Sequence, residues 1–419
     1  MTTTGVPLAN WGGNVIFRAV RLHRPGSVDE LRRIVASSRR VRALGSGHSF
    51  SRVADTTHDL VRLDRLPGTV EIDAAGSTAT VGAGMSYAEV ATELHRAGFA
   101  LASLASLPHI SIGGACATGT HGSGDAQRCL AASVAAIELV GPHGDLVERS
   151  RDVDGDTFAG SVVALGALGI VTRLRLHIEP AYEVAQRVRL GVALDEVADR
   201  LDEVFGAAYS VSVFTDWRSG EASVWLKSRT DRPGPGWAGG RPAGRQLHPV
   251  PGLPAGSCTE QLGVAGPWHE RLPHFRPELT PSTGRELQSE LYLPRGAAPD
   301  AFAAVRDIGH LVAPVLQVAE IRTVAADDLW LSPAYGRDCV TLHFTWVREV
   351  AAVLPVLAAV EERLLPLGAR PHWGKLTTAD PQEVIGRYPR GDRFARLAAE
   401  CDPDGKFRNA FVDSLFPVR

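Results

Sequence analysis

The first third of the chain alternates short apolar stretches with Gly, Pro and polar turn residues, a pattern typical of short strands joined by tight turns. The predicted strands are residues 41–44, 60–64, 70–73, 79–82, 137–140, 146–148 and 169–178, with an extended segment at 14–23. Ser27 with Glu30, and Ser86 with Glu89, have capping-box spacing, which predicts that a helix begins at each pair. This mixture predicts α+β structure with two small sheets, and not the regular alternation of a doubly wound nucleotide domain.

After Pro180 the predicted elements become longer. The strands are expected at 182–190, 210–215, 222–227, 315–323 and 339–346, the helices at 194–207, 298–311 and 350–365, and a helical or loop tail at 394–401 and 409–415. Residues 230–267 are rich in Gly and Pro, so we predict a loop there and consider it a candidate lid.

Composition narrows the class of protein. With 419 residues and 44% hydrophobic content, the chain is too long for one compact core, which predicts about two domains. A net charge of −3 disfavours nucleic acid and anionic membranes as partners. The start of the chain lacks a basic segment followed by an apolar stretch, and no apolar run approaches a membrane span, so we expect a cytoplasmic protein. Five cysteines without a CxxC pair predict neither structural zinc nor a disulfide framework.

A Gly-Ser-Gly-His turn directly follows the predicted strand 41–44. Backbone N–H groups at Gly45 and Gly47 can surround a phosphate, because no side chain blocks their approach. A nicotinamide-type fingerprint requires a third glycine where this chain has Phe50, which disfavours that cofactor. Taken alone, the turn is equally compatible with a plain structural turn.

A second, denser glycine cluster spans residues 106–124. Its five glycines alternate with Ser, Thr and small apolar residues, which leaves room for a flat or charged ligand against the backbone. The alternative is a generic glycine-rich loop. Two such segments in one chain favour a site for a large nucleotide cofactor.

Polar side chains occupy alternate positions on two predicted strands. Glu320 and Arg322 lie two residues apart on one strand, and His343 and Thr345 on the other. A period of two places each pair on one face of its strand, with the apolar neighbours on the other face. These neighbours are Ile321, Leu342, Phe344 and Trp346. The four polar groups suit a wall that binds several hydroxyls, whereas the alternative is a surface ion pair between Glu320 and Arg322. Lys375 adds a candidate cation, since lysine otherwise occurs only at 227 and 406.

The segments GSGHSF and ASLPHISIGGACATGTHGSG together resemble the FAD domain of vanillyl-alcohol-oxidase-type flavoproteins. Within that group the chain resembles the alditol (xylitol/sorbitol) oxidases, through stretches such as AEIRTVAADDLW, LHFTW and RPHWGK, from about residue 10 to 411. The resemblance implies an α+β, two-domain FAD-binding fold of the vanillyl-alcohol-oxidase/PCMH type. It also implies an FAD-binding domain at 1–180, an antiparallel-sheet-plus-helices substrate (cap) domain at 181–370, and a C-terminal segment at 371–419 that returns to the FAD domain.

The resemblance further implies that FAD is bound covalently, through a bond from a ring nitrogen of His48 to the 8α-methyl group of the flavin. The residues implied to surround FAD are Ala43, Leu44, Gly45, Ser46, Gly47, Ser49, Ser106, Ser111, Gly114, Thr118, Gly119, Thr120, His121, Val171 and His372. Some relatives carry a second, cysteinyl link, for which Cys116 is the nearby candidate, although the alditol oxidases have no such link.

The implied substrate is a polyol, held by Ser106, Glu320, Arg322, His343, Thr345 and Lys375. The implied reaction transfers a hydride from the terminal C1 carbon to flavin N5, and O2 then becomes H2O2. In that reaction His343 takes the hydroxyl proton, while Arg322 and Lys375 stabilise the alkoxide, although either cation could share the proton. We expect a monomer.

Two other functions are compatible with FAD binding. A dehydrogenase of aldonolactones or sugars would use an electron acceptor other than oxygen, and a flavin-binding electron carrier would catalyse no substrate oxidation. The four polar wall residues and Lys375 favour an alditol enzyme over both, since a carrier needs no polyol wall.

Overall fold

A computed structural model describes residues 8–279 and 286–417. Its first ten strands are β1 (Arg21–His23), β2 (Val41–Leu44), β3 (Asp59–Arg62), β4 (Val70–Asp73), β5 (Thr78–Gly82), β6 (Phe99–Ala100), β7 (Val134–Val140), β8 (Leu146–Ser150), β9 (Ile170–His177) and β10 (Glu179–Pro180). A parallel sheet has the order β1-β3-β2, and an antiparallel sheet has the order β4-β5-β9-β7-β8. Strands β6 and β10 pair with each other. Two small sheets were predicted in this part and are present, and β6 with β10 forms a further two-stranded sheet that was not predicted.

Four helices accompany these strands: α1 (Val28–Ser37), α2 (Tyr87–Arg96), α3 (Ile112–Ala117) and α4 (Arg151–Ala159). The capping box of α2 is complete, since the Ser86 hydroxyl accepts from Glu89 N and the Glu89 carboxylate accepts from Ser86 N. At α1 the Ser27 hydroxyl accepts from Glu30 N, while the Glu30 carboxylate accepts from Gly26 N. Both predicted helix starts are confirmed.

The second half of the chain builds one large sheet. Its strands are β11 (Glu183–Ala193), β12 (Ser210–Thr215), β13 (Glu221–Arg229), β14 (Arg241–Pro242), β15 (Ala265–Pro267), β16 (Glu286–Pro294), β17 (Leu316–Val324), β18 (Cys339–Val347) and β19 (Arg370–Pro371). They pair antiparallel in the order β14-β11-β13-β12-β17-β18-β16-β19, with β15 also on β11. We call this nine-stranded sheet the large sheet.

The remaining helices lie between these strands and in the tail. They are α5 (Leu194–Asp199), α6 (Leu201–Phe205), α7 (Trp268–Arg271), α8 (Ala298–Asp307), α9 (Gly309–Val312), α10 (Val350–Leu364), α11 (Pro381–Gly386), α12 (Gly391–Cys401) and α13 (Ala410–Leu415). No helix within the described ranges is both long and apolar enough to cross a bilayer.

Several sequence predictions need correction. The predicted helix 194–207 is two helices, because Arg200 leaves the helical region with φ −117° and ψ 34°. The predicted helix 298–311 likewise breaks at Ile308. The predicted loop 230–267 contains β14 and β15, which both pair with β11. Only β1 is a regular strand within the extended segment 14–23, and neither β16 nor α4 was predicted.

On β17 and β18 the predicted polar and apolar side chains lie on opposite faces of the large sheet. Ile321, Phe344 and Trp346 lie in a buried apolar cluster with Phe302 of α8 and Val353 of α10. The polar residues between them project to the opposite face, because successive side chains of a strand alternate. The predicted separation of faces on β17 and β18 is confirmed.

The end of the chain packs on the first sheet. The Val41 N–H donates to Lys406 O at 2.9 Å, so the tail continues the edge of β2. The Asn409 amide donates to the carbonyls of Val53 and Asp55. These contacts lie beside the turn that follows β2, where the glycine residues begin.

Candidate active site

A cavity of about 410 Å³ lies between the glycine segments and the polar face of the large sheet. The predicted residues that line it are Ala43, Leu44, Gly45, Ser46, Gly47, His48, Ser49, Ser106, Ser111, Gly114, Thr118, Thr120, His121, Val171, Glu320, Arg322, His343, Thr345, His372 and Lys375. The two glycine-rich segments, strands β17 and β18, and the loop that contains His372 and Lys375 therefore surround one cavity.

Gly119 is the predicted residue that does not line this cavity. It has φ +70°, and a Cβ there would lie 3.1 Å from Pro333. Its carbonyl accepts from the Tyr292 hydroxyl at 3.1 Å. Gly119 therefore forms the turn after α3, where glycine adopts this backbone conformation without strain. Its predicted contact with the cofactor stays a prediction.

The two glycine segments are joined by reciprocal hydrogen bonds. Ser111 N donates to the Ser46 hydroxyl at 3.1 Å, and Ser46 N donates to the Ser111 hydroxyl at 3.3 Å. A Cβ on Gly45 would overlap the Ser111 hydroxyl, and Gly47 has φ +75°. Close approach thus requires glycine at position 45, and the backbone conformation requires it at position 47. The result is a groove of bare backbone that fits an extended dinucleotide such as FAD.

His48 projects from this groove with its ring held on both sides. The ring stacks on Trp11 with centroids 5.2 Å apart, and it lies 5.0 Å from the ring of His109. Burial, with smaller contributions from His109 and Lys375, lowers the pKa of His48 to about 3. The imidazole is therefore neutral at pH 7 and keeps a nitrogen lone pair, as nucleophilic attack requires.

The polar wall on β17 and β18 is buried and paired. Glu320 lies opposite His343 in the register of the two strands. One Glu320 oxygen is 3.0 Å from His274 Nε2, and the other is 3.7 Å from Arg322 Nε. These cationic and hydrogen-bonding neighbours hold the pKa of Glu320 well below its usual value despite burial, so it is a carboxylate. Glu320 and Arg322 are both buried, so they do not form the surface ion pair that was the alternative.

Glu290 on β16 connects three groups of the wall and was missed by sequence reasoning. Its Oε1 accepts from Arg322 Nη2 at 2.6 Å and from His121 Nε2 at 3.0 Å. Its Oε2 lies 3.5 Å from His343 Nδ1. Burial alone would raise the pKa of Glu290, but Arg322 and the two imidazoles hold it well below the usual range. A buried anion therefore lies within the wall and lines the cavity with Arg322 and His343.

Lys375 brings a second cation to the cavity. Its ammonium donates to the Gln288 side-chain carbonyl and lies 5.5 Å from the centroid of the Phe50 ring. Burial lowers the pKa of Lys375 to about 8, so the side chain is mostly protonated at pH 7. Nearby, His372 Nδ1 accepts from Gly374 N at 2.9 Å, and burial lowers the pKa of His372.

Some of the residues that sequence reasoning missed lie in a recognisable pattern, and others do not. Strand β16 reads Glu-Leu-Gln-Ser-Glu-Leu-Tyr-Leu, a strand-like alternation that could have located Gln288 and Glu290. Trp11 and His109 lie in irregular segments with no periodicity. Cys116, the candidate for a second flavin link, contacts the Tyr87 hydroxyl and lies outside the lining of the cavity, and burial raises the pKa of its thiol to about 12.

Comparison with known proteins identifies relatives that are FAD-binding proteins and oxidoreductases. Residues 20–150 match the family model of an FAD binding domain, and residues 284–415 match that of D-arabinono-1,4-lactone oxidase. The chain is 50% identical to an alditol oxidase from Streptomyces sp. (strain IKD472 / FERM P-14339), over 97% of this chain and 98% of that protein. It is 28% identical to an L-gulono-1,4-lactone dehydrogenase from Mycobacterium tuberculosis, over 96% and 97% of the two chains.

Among solved structures, a cholesterol oxidase from B. sterolicum superposes with a TM-score of 0.79. The match covers 98% of this chain and 96% of that chain, at 13% sequence identity. At this identity the similarity concerns the fold.

Proposed function

The chain belongs to the alditol oxidase family of FAD-binding oxidoreductases, and from this premise we propose that it oxidises the terminal C1 hydroxyl of sugar alcohols such as xylitol and sorbitol. Its α+β fold is the two-domain FAD-binding fold predicted from the sequence. One observation carries the proposal, namely that His48 and a wall of buried polar groups line the same cavity. A site that pairs several hydroxyls strongly disfavours substrates that lack them.

Bound FAD would supply the acceptor for the hydride from C1 and pass the electrons to O2, which yields an aldose and H2O2. His48 would hold the flavin covalently, with the bare backbone around Gly45 and Gly47 beside its phosphates. The protein's own groups would act on the substrate oxygen. Arg322 and Lys375 donate hydrogen bonds to the oxygen at C1 and stabilise its developing negative charge.

His343 would take the proton from that oxygen. Its Nδ1 lies beside Glu290, which favours a proton on Nδ1 and leaves the lone pair on Nε2. Nε2 lies 3.4 Å from the Thr345 hydroxyl, on the side of the cavity. Burial lowers the pKa of His343, so the ring is neutral and able to accept a proton at pH 7. Glu320, Thr345 and Ser106 would bind further hydroxyls.

The proposal is tested first on the flavin link and the product together. We expect the denatured wild-type protein to fluoresce in an acidified gel under ultraviolet light, and to form peroxide from xylitol and sorbitol. His48→Ala should abolish the gel fluorescence, because it removes the ring nitrogen that would bond to the flavin. His109→Ala is the matched control, since its ring lies next to His48 but forms no bond to flavin, and its gel fluorescence should persist.

Other outcomes of this experiment identify the alternatives. A fluorescent protein that forms no peroxide, yet reduces an artificial dye with an aldonolactone, would be a dehydrogenase of the same fold. Absence of flavin from the purified protein would contradict the proposal. The monomeric state, the cytoplasmic location and the lack of nucleic-acid or membrane partners stay predictions from the sequence.

The rate of flavin reduction by xylitol is expected to have a maximum near neutral pH. It should fall as pH rises through about 8, because Lys375 then loses its proton. It should also fall at acidic pH below the ordinary imidazole value, because His343 has a lowered pKa and gains a proton only there. Anaerobic stopped-flow absorbance across pH 5 to 10 measures both limbs.

Lys375→Arg is the control for this profile. A guanidinium does not titrate in this range, so the alkaline limb should disappear while the acidic limb stays. An unchanged alkaline limb in this variant would show that another group causes it.

A further inference from the structure

Residues 272–275 join the two sides of the cavity, although none of them belongs to the predicted site. The backbone N–H groups of His274 and Phe275 donate to the Ser106 carbonyl at 3.2 and 3.3 Å, on the glycine-rich side. The His274 side chain contacts Glu320 on the opposite side, with Nε2 3.0 Å from Oε1. This segment therefore holds two residues of the proposed polyol site, one through its backbone and one through a side chain.

The donor in the contact between His274 and Glu320 is determined by chemistry. Glu320 is a carboxylate and can only accept, so His274 Nε2 must carry the proton. The ring has little freedom to turn, because its centroid lies 5.3 Å from that of Phe214 and 5.5 Å from that of Trp225, in edge contacts. The Ser212 hydroxyl lies 3.3 Å from the same nitrogen. The imidazole thus presents one N–H in one direction.

Lys227 of β13 binds the start of the segment 272–275 through its side chain. Its ammonium, with the residue only 2% exposed, donates to the carbonyls of Leu272 and Pro273. No carboxylate in the described ranges lies within 4.0 Å of it. Burial lowers the pKa of Lys227 to about 7, and the amine can donate to both carbonyls in either protonation state. Lys227 therefore holds the turn at 272–273 through these two hydrogen bonds.

We propose that His274 is a positioning residue that determines specificity for polyols, because it fixes the Glu320 carboxylate for hydrogen bonding to hydroxyls beyond C1. Its hydrogen bond holds Oε1 and leaves Oε2 for the substrate and Arg322. Lys227 supports this role by holding the two carbonyls that precede His274 in the chain. The inference rests on the proposed function, in which Glu320 binds a hydroxyl other than the reacting one.

The test compares xylitol with glycerol, which has fewer hydroxyls to reach Glu320, using flavin-loaded full-length protein. His274→Leu should raise KM for xylitol about 10- to 100-fold, the range expected for a hydrogen bond to a charged group. KM for glycerol and the limiting rate of flavin reduction should change less than about threefold. His274→Gln should restore most of the xylitol preference, since its amide can donate to Glu320 while imidazole packing is lost.

Lys227→Met provides an independent variant, and Lys406→Met is its matched control. Lys406 also donates to two successive carbonyls, those of Val35 and Ala36, but lies away from the cavity. Lys227→Met should raise KM for xylitol in the same direction as His274→Leu, whereas Lys406→Met should leave it unchanged. Equal KM effects of Lys227→Met and Lys406→Met would overturn the supporting role of Lys227.

Two results would overturn the role of His274. One is an unchanged ratio of kcat/KM for xylitol over glycerol in folded, flavin-loaded His274→Leu. The other is equal loss in His274→Leu and His274→Gln, which would indicate a packing role only. If His274→Leu does not fold, His274→Gln and Lys227→Met decide the question. A wild-type protein that oxidises no alditol would instead contradict the proposed function.

Discussion

Lys375→Met is expected to lower kcat for alditol oxidation by about 10²- to 10³-fold, while the FAD content stays at the wild-type level. The ammonium is protonated at pH 7, since burial lowers its pKa only to about 8. Methionine has a similar length but no N–H to stabilise the developing alkoxide, and loss of one such donor has this effect in other enzymes. Stopped-flow reduction by xylitol gives the rate, and the flavin absorbance of the denatured protein gives the FAD content.

The control for this substitution is again Lys406→Met, which removes an ammonium outside the cavity. It should change kcat less than about twofold. Wild-type kcat in Lys375→Met would contradict the assignment of Lys375 to the reacting oxygen. A low rate that reflects only missing flavin would do so as well.

Glu290→Gln is expected to lower the rate of flavin reduction by at least about 10²-fold, through the tautomer of His343. The amide oxygen can still accept from Arg322 and His121, as Glu290 Oε1 does. The amide nitrogen, however, replaces Oε2 beside His343 Nδ1, and it can only donate. Nδ1 must then accept, the ring proton moves to Nε2, and the base on the cavity side is lost.

Because the defect concerns the position of a proton and not its number, raising the pH should not restore the rate. Stopped-flow reduction at pH 6 to 9 measures this. Glu361→Gln is the matched control, since Glu361 is also a buried carboxylate, and it accepts from Thr377 and Thr378 outside the cavity. Its reduction rate should be close to wild type. A Glu290→Gln rate within threefold of wild type would rule out His343 as an oriented base.

Local patterns in the sequence were sufficient for a large part of the fold and the site. The capping boxes predicted the starts of α1 and α2, because a cap depends on residues three positions apart. The period of two on β17 and β18 placed Glu320 and His343 on one face, because side-chain direction in a strand follows from backbone geometry alone. The glycine clusters located the groove, since bare backbone is visible in the sequence itself.

Contacts between distant segments decided the rest. Glu290 accepts from Arg322, 32 residues away, and contacts His121, 169 residues away. A carboxylate is stable in that buried position only because these cations and donors surround it. His274 reaches Glu320 across 46 residues. No local pattern contains this information.

The sequence by itself thus determined the residue types around the cavity: two glycine-rich segments, polar side chains at alternate positions of two strands, and the cations Arg322 and Lys375. The tertiary structure decided which carboxylate orients which imidazole, that Gly119 forms a turn away from the cavity, and that the segment 230–267 contributes strands to the sheet. The physical reason is that alternation and capping are set by neighbouring residues. Protonation, tautomer and register are set by groups that only folding brings within hydrogen-bonding distance.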